Sequence, residues 1–232
     1  MHKSEFEAGK MLLIDKPLGW TSFDVIRKLR HIIKIKKIGH AGTLDPLATG
    51  LLFVCTGKFT KRINEFMAKE KEYTGSFTLG ATTPTYDLES EPENFKSVDN
   101  ISEEEIYATA KKFNGDILQI PPAHSAIKKD GKRLYALARK GQTVVPEPRP
   151  VTIHSFDITT IEMPQIFFRV VCATGTYIRS LAFDFGESLT CGAYLSKLCR
   201  TKIGEFDVKD AWQIDDFEKA FTKANATNQK DN

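Results

Sequence analysis

Residues 39–52 read GHAGTLDPLATGLL, with three glycines, one proline and a single carboxylate. That composition describes a loop built to hold Asp45 in a fixed pose, with glycine supplying the turns and the close backbone approaches. No Lys-Ser or Lys-Thr follows the last glycine, so the loop is not a phosphate-binding P-loop. Taken alone, an Asp-Pro pair more often just starts a turn. Cys55, Cys172, Cys191 and Cys199 form no C-x-x-C pair and have no histidines at zinc spacing, so they read as buried, reduced thiols, and no metal site is expected. Basic residues gather in 27–37 (RKLRHIIKIKK), 58–62 and 128–139. Such clusters fit either a polyanionic partner or solvated helix faces.

The elements that must position Asp45 can be read from periodicity and punctuation. Residues 11–15 (MLLID) form a short buried strand stopped by Pro17 and Gly19, after which Thr21 or Ser22 caps a helix to about Ile33. Phe23, Ile26, Leu29 and Ile33 give that helix its apolar face. A glycine-rich connection, 39–50, leads to a strand at 51–56, and a helix with Phe59, Ile63 and Phe66 inward follows. Residues 73–80 alternate as a strand, and 82–98 are polar and turn-prone. Ser102 with Glu105 is a capping box opening a helix to about Phe113. Residues 117–120 make a strand, and 121–150 form a basic excursion with one short helix at 133–140. The runs 151–161 and 165–173 predict a hairpin, 176–189 a helix with Ile178, Leu181 and Phe185 inward, 193–206 one or two strands, and 212–224 a last helix before a fraying tail at 225–232. Helices and strands mix without βαβ regularity and no repeat is present. The expectation is an α+β fold: one domain over residues 1–232, with a mixed, largely antiparallel sheet flanked by helices.

Composition sets the outer limits. With 232 residues, 41% of them hydrophobic, the chain can bury a real core. Charged residues nearly cancel to a net +3, which says little about nucleic acid. The sequence shows neither a signal-peptide run nor about 18 consecutive apolar residues. A cytoplasmic protein with no membrane association is expected.

The loop around Asp45 also carries a resemblance. GHAGTLDPLATG is similar, nearly letter for letter, to the catalytic motif of the TruB family of tRNA pseudouridine synthases, and four further stretches resemble that family's motifs in the family's order: DKPLGWTS (15–22), KEYTGSFTLG (71–80), PPAHSAIKKDGKRLYALAR (121–139) and GTYIRSLAFDFG (175–186). The resemblance implies an isomerase acting on the uridine at conventional position 55 in the tRNA T-loop. The bond from ribose C1′ to uracil N1 is cut, the base turns, and C5 rejoins C1′. Such a reaction needs a carboxylate beside C1′ or C6, much as in a retaining glycosidase. The resemblance assigns that role to Asp45, and since an aspartate ordinarily titrates near ~3.9 it is ionised at neutral pH.

By the same resemblance Arg179 pairs with Asp45, Tyr73 stacks on the target base and helps move the C5 proton, and Tyr177 and Leu198 enclose the uracil. Lys16 and His40 support the loop and contact RNA. The excursion at 121–150, with Lys128, Lys132 and Arg133, looks like the family's thumb, which closes on the tRNA T-arm through phosphates. The target base must be flipped out of the folded RNA. An isomerisation calls for no cofactor. A monomer with no obligatory protein partner is implied.

The chain departs from many relatives in reading as a short form without a C-terminal PUA domain, and in carrying Thr43 and His124, to which no consequence is attached. Two other functions compete. One is a non-catalytic tRNA-folding chaperone on the same scaffold, against which an intact Asp45, Tyr73 and Arg179 argue. The other is the same chemistry on ribosomal RNA within a guide-RNA complex, which a bare catalytic domain disfavours.

Overall fold

The computed structural model describes residues 1–123, 125 and 146–227, together with the backbone of 128–129 and 132–133. His124 and the short helix expected at 133–140 lie outside the described residues, as do the side chains of Lys128, Lys132 and Arg133. The chain is organised as two compact units, residues 1–73 with 199–232, and residues 74–198.

In the first unit, helix α1 (Lys3–Ala8) precedes strand β1 (Met11–Lys16), and helix α2 (Ser22–Ile33) follows. Thr21 caps α2, its hydroxyl accepting from the Asp24 N–H at 3.1 Å while the Asp24 carboxylate accepts from the Thr21 N–H at 2.9 Å. Strand β2 (Ile38–Ala41) pairs antiparallel with β3 (Ala48–Thr56), whose other neighbour β1 is also antiparallel. A 3₁₀ turn (Gly57–Arg62) then runs into helix α3 (Ile63–Ala68). The unit closes with the end of β10 (Ala193–Ile203), β11 (Phe206–Asp207) and helix α6 (Ile214–Thr227). Val25, Ile26, Leu29 and Ile33 of α2 pack with Leu12, Ile14, Phe217 and Phe221 in one core. Phe53 lies edge-on to Phe66 and Phe206 in another. Such stripes are what bury a helix of this length.

The second unit takes up the chain within β4 (Lys71–Leu79) and returns it within β10. Its sheet runs β10-β4-β9-β8-β5, with β5 (Gly115–Gln119), β8 (Arg149–Glu162) and β9 (Gln165–Cys172) joined antiparallel. Helices α4 (Glu103–Lys112) and α5 (Ile178–Ser188) flank it. Phe77, Phe156, Phe168 and Phe185 form an aromatic core, with ring centroids 4.3 to 6.2 Å apart. Strands β6 (Lys128–Lys129) and β7 (Lys132–Arg133) make a separate two-stranded ribbon in the basic excursion. The architecture is α+β, a mixed sheet flanked by helices.

Four local expectations need correction. Phe23, expected on the apolar face of α2, is 58% exposed, because the helix buries Val25 in its place. Residues 39–50 are not wholly a connection: Ile38–Ala41 form a strand because the long buried β3 offers them a ladder, from Ile38↔Thr56 to Ala41↔Phe53. The helix expected around Phe59 and Phe66 is divided, since the chain leaves Gly57 at φ 49° into a tight turn, with the Thr60 hydroxyl donating to the Gly57 carbonyl. Of the four cysteines, Cys199 is only half-buried.

Candidate active site

Asp45 sits half-buried in the bend between β2 and β3, and the main chain on both sides of it is gripped from outside the loop. The Ser22 hydroxyl, at the first turn of α2, accepts from the Leu44 N–H at 2.8 Å and lies 3.2 Å from the Leu44 carbonyl. The Pro46 carbonyl accepts from the Gly19 N–H at 2.9 Å and from Lys16 Nζ at 3.3 Å. Lys16 is fully buried and also donates to the Pro17 and Trp20 carbonyls, at 2.9 and 2.5 Å. The Ala48 N–H donates to the Asp45 carbonyl at 3.1 Å and closes the bend.

Beneath the loop lies Arg200, 1% exposed, whose Nε donates to the Leu51 carbonyl at 2.8 Å and whose Nη2 donates to the Gly42 carbonyl at 3.2 Å. One guanidinium thus ties both ends of the loop, the kind of task a rigid planar fork performs and a lysine cannot. Gly50 permits the approach: a Cβ there would stand 2.4 Å from the Arg200 carbonyl, and its φ of 100° already favours glycine.

The electrostatics follow from this packing. Burial lowers the Lys16 ammonium to about 8, and the nearby charge of Asp45 is the foremost influence holding it up. His40, on β2, is held below its ordinary value by burial first and by the Arg200 charge second. Its imidazole is therefore neutral at physiological pH.

In the second unit, the start of α5 is fixed by Gln119, whose side-chain oxygen accepts from the Tyr177 N–H at 2.8 Å while its amide donates to the Tyr177 carbonyl at 3.0 Å. The Ser180 hydroxyl donates to the Ile120 carbonyl at 2.7 Å. Arg179, in the first turn of α5 and 4% exposed, donates to the Thr85 carbonyl at 3.3 Å and forms an ion pair with the buried Asp87 at 3.7 Å. Thr83 and Thr85 donate to the Asp87 carbonyl, and Tyr86 takes a left-handed φ of 63° with its ring stacked on Phe183, 4.3 Å between centroids. This polar stretch is therefore a shaped support.

Of the residues singled out in the sequence, Lys16, His40 and Asp45 share the first unit, where Lys16 bears directly on the Asp45 loop. Tyr73 is buried on β4 at the end of that unit's first segment. Tyr177, Arg179 and Leu198 belong to the second, with Tyr177 and Leu198 half-buried. From the sequence Ser22 is read only as an alternative helix cap, and Asp87, Gln119 and Arg200 are not singled out. Arg200 follows Leu198 and Cys199 within the strand AYLSKLCRTKI, and nothing local sets it apart from the lysines on either side.

The chain matches the family model for the TruB family pseudouridylate synthase N-terminal domain over residues 30–178, and that for the tRNA pseudouridylate synthase B C-terminal domain over 179–231. It is 54% identical to the tRNA pseudouridine synthase B of Flavobacterium johnsoniae over 95% of this chain and 99% of that one. Against the protein of the same name from Bacteroides fragilis it is 51% identical, over 86% and 88%. Among solved structures it resembles a chain of a Cbf5-Nop10-Gar1 complex, with a TM-score of 0.72 and 28% identity, covering 94% of this chain and 55% of that one. Matched over nearly its whole length, the chain belongs to the TruB family of pseudouridylate synthases.

Proposed function

We propose that this protein converts the uridine at position 55 of the tRNA T-loop into pseudouridine, with Asp45 as the carboxylate beside the reacting sugar and ring. Its family makes it a pseudouridine synthase, an isomerase. The observation that carries the assignment to Asp45 is the way its loop is held. Lys16, Gly19, Ser22 and Arg200 all restrain main-chain groups on either side of Asp45, as expected of a carboxylate that must be placed to a fraction of an ångström.

The C1′–N1 bond breaks, the carboxylate stabilises or captures the electron-poor centre, the uracil turns, and C5 bonds to C1′. The C5 proton then leaves to solvent and N1 takes up a proton, so no oxidant or acceptor is needed. Arg179 serves as the cationic partner of the reaction centre, Tyr73 as the base-stacking ring, and Tyr177 and Leu198 as the walls that keep water from C1′. His40 and Lys16 support the loop; Lys16 is fully buried on three backbone carbonyls, which leaves the RNA contact to His40. Lys128, Lys132 and Arg133 belong to a thumb that closes on the T-arm. The enzyme acts as a monomeric catalytic domain in the cytoplasm, without a guide RNA.

The test is tritium release from a tRNA transcript labelled at uridine C5. Release near one equivalent is expected for the native protein, with none from a transcript carrying cytidine at position 55. Asp45→Asn should lower turnover by about a thousandfold or more while keeping RNA binding, because only a charge is removed. Turnover retained in that variant would end the assignment of Asp45; release from the cytidine-55 transcript would end the assignment of position. Binding without any release would favour an RNA-folding chaperone.

A further inference from the structure

In the first unit, the exposed cations divide into two groups. Several are paired, as with Lys3 and Glu7, Arg62 and Glu65, Lys209 and Asp207, or Lys219 and Asp216. His31, Lys34, Lys36, Lys37, Lys58 and Lys61 are all exposed, and among the described residues none of them forms an ion pair.

These six lie together. His31 lies in the last turn of α2, and Lys34 caps that helix in the left-handed conformation. Lys36 and Lys37 follow at once, and the Lys37 carbonyl accepts from the Gly57 N–H at 2.9 Å, which brings the 3₁₀ turn alongside. Lys58 and Lys61 stand three apart on that turn, where side chains eclipse. The carboxyl-terminal dipole of α2 favours cations at His31 and Lys34 but has no bearing on the other four. Like charges packed this closely repel one another unless an anion is shared among them.

We propose that this surface binds the sugar–phosphate backbone of the substrate RNA, at nucleotides flanking the one that reacts. The inference rests on the RNA-modifying function proposed above and adds a second place of contact to it. Strand β2 spans about 13 Å at ~3.3 Å per residue, and it separates Lys37 from the loop of Asp45. The phosphates met here therefore belong to neighbouring nucleotides. A membrane surface is the poorer fit, because Ile26, Leu29, Ile32 and Ile33 of α2 are buried in the core, the exposed Phe23 lies at the opposite end of that helix, and the patch residues are all polar.

Two triple variants of equal charge change test the proposal: Lys34→Gln, Lys36→Gln, Lys37→Gln in the patch, and Lys3→Gln, Lys209→Gln, Lys219→Gln among the paired cations. Binding of a tRNA transcript is measured across a salt titration. The patch triple should lower the slope of log K against log salt by roughly 2 to 3, and affinity at moderate salt by about tenfold or more. The paired triple should leave both near native. Tritium release at saturating RNA should be unchanged in either, since none of these residues belongs to the catalytic machinery. Equal slopes in the two triples would overturn the proposal, as would loss of binding to anionic-lipid vesicles with tRNA binding intact. If the native protein binds the transcript but releases no tritium, the function proposed above fails while a lowered slope still supports an RNA surface here.

Discussion

At the scale of single residues, Lys16 and Arg200 do for the Asp45 loop what the loop cannot do for itself. Lys16 supplies three protons to three carbonyls only while it is charged. Its folded value, lowered by burial to about 8, stands against an ordinary 10.5. Between those two values the unfolded chain holds a proton that the folded chain has released, so stability rises with pH across that window, by up to about 3 kcal/mol, and the gain is absent below it. Turnover should move the other way, falling as pH passes 8, because the neutral amine cannot satisfy all three carbonyls. Denaturant midpoints and single-turnover rates at pH 7.5 and pH 9.5, compared with Lys16→Met, check this opposition, and the variant should lose both trends. For Arg200, replacement by methionine fills the space but leaves the Gly42 and Leu51 carbonyls unpaired. The expected loss is about 2 to 4 kcal/mol, seen as a fall in Tm of roughly 5 to 15 °C, with turnover lost beyond what the unfolded fraction explains.

At the scale of elements, α5 carries Arg179 and must lie where Gly186 allows. A Cβ at Gly186 would stand 2.0 Å from the Ala193 nitrogen, so the helix meets the start of β10 backbone to backbone. Alanine would be the better helix former, yet Gly186→Ala should cost about 3 kcal/mol by overpacking, read as a lowered denaturation midpoint. Most such elements were legible beforehand. The capping boxes of α2 and α4 sit in the sequence as Thr21 with Asp24 and Ser102 with Glu105, and Pro164 marked the turn between β8 and β9. What escaped were pieces whose form comes from a neighbour. Strand β2, with a glycine and a histidine among its four residues, has little β preference and is a strand only because β3 lies beside it. Asp87 hid for the same reason: nothing local in TTPTYD separates a buried ion-pair partner from a turn residue. The loop of Asp45 was readable from its glycines and proline, while Arg200, its underpinning, was not.

At the scale of the molecule, net charge told little and the placement of charge told more. A surplus of only three is compatible with five lysines on one surface that form no ion pair among the described residues, because many of the other cations of that unit are matched. The chain also enters its second unit within β4 and leaves it within β10, so the first unit is built from both ends of the sequence. Arg200 shows what that order entails. It stands 149 positions after Leu51 and 158 after Gly42, the residues it ties together. During synthesis the motif around Asp45 leaves the ribosome well before Arg200, its underpinning, does. Ring closure over such a distance comes late in folding. A nascent polypeptide that has not yet reached Arg200 therefore carries Asp45 in an unlatched loop, and the proposed competence to modify RNA waits on a residue made much later in the chain.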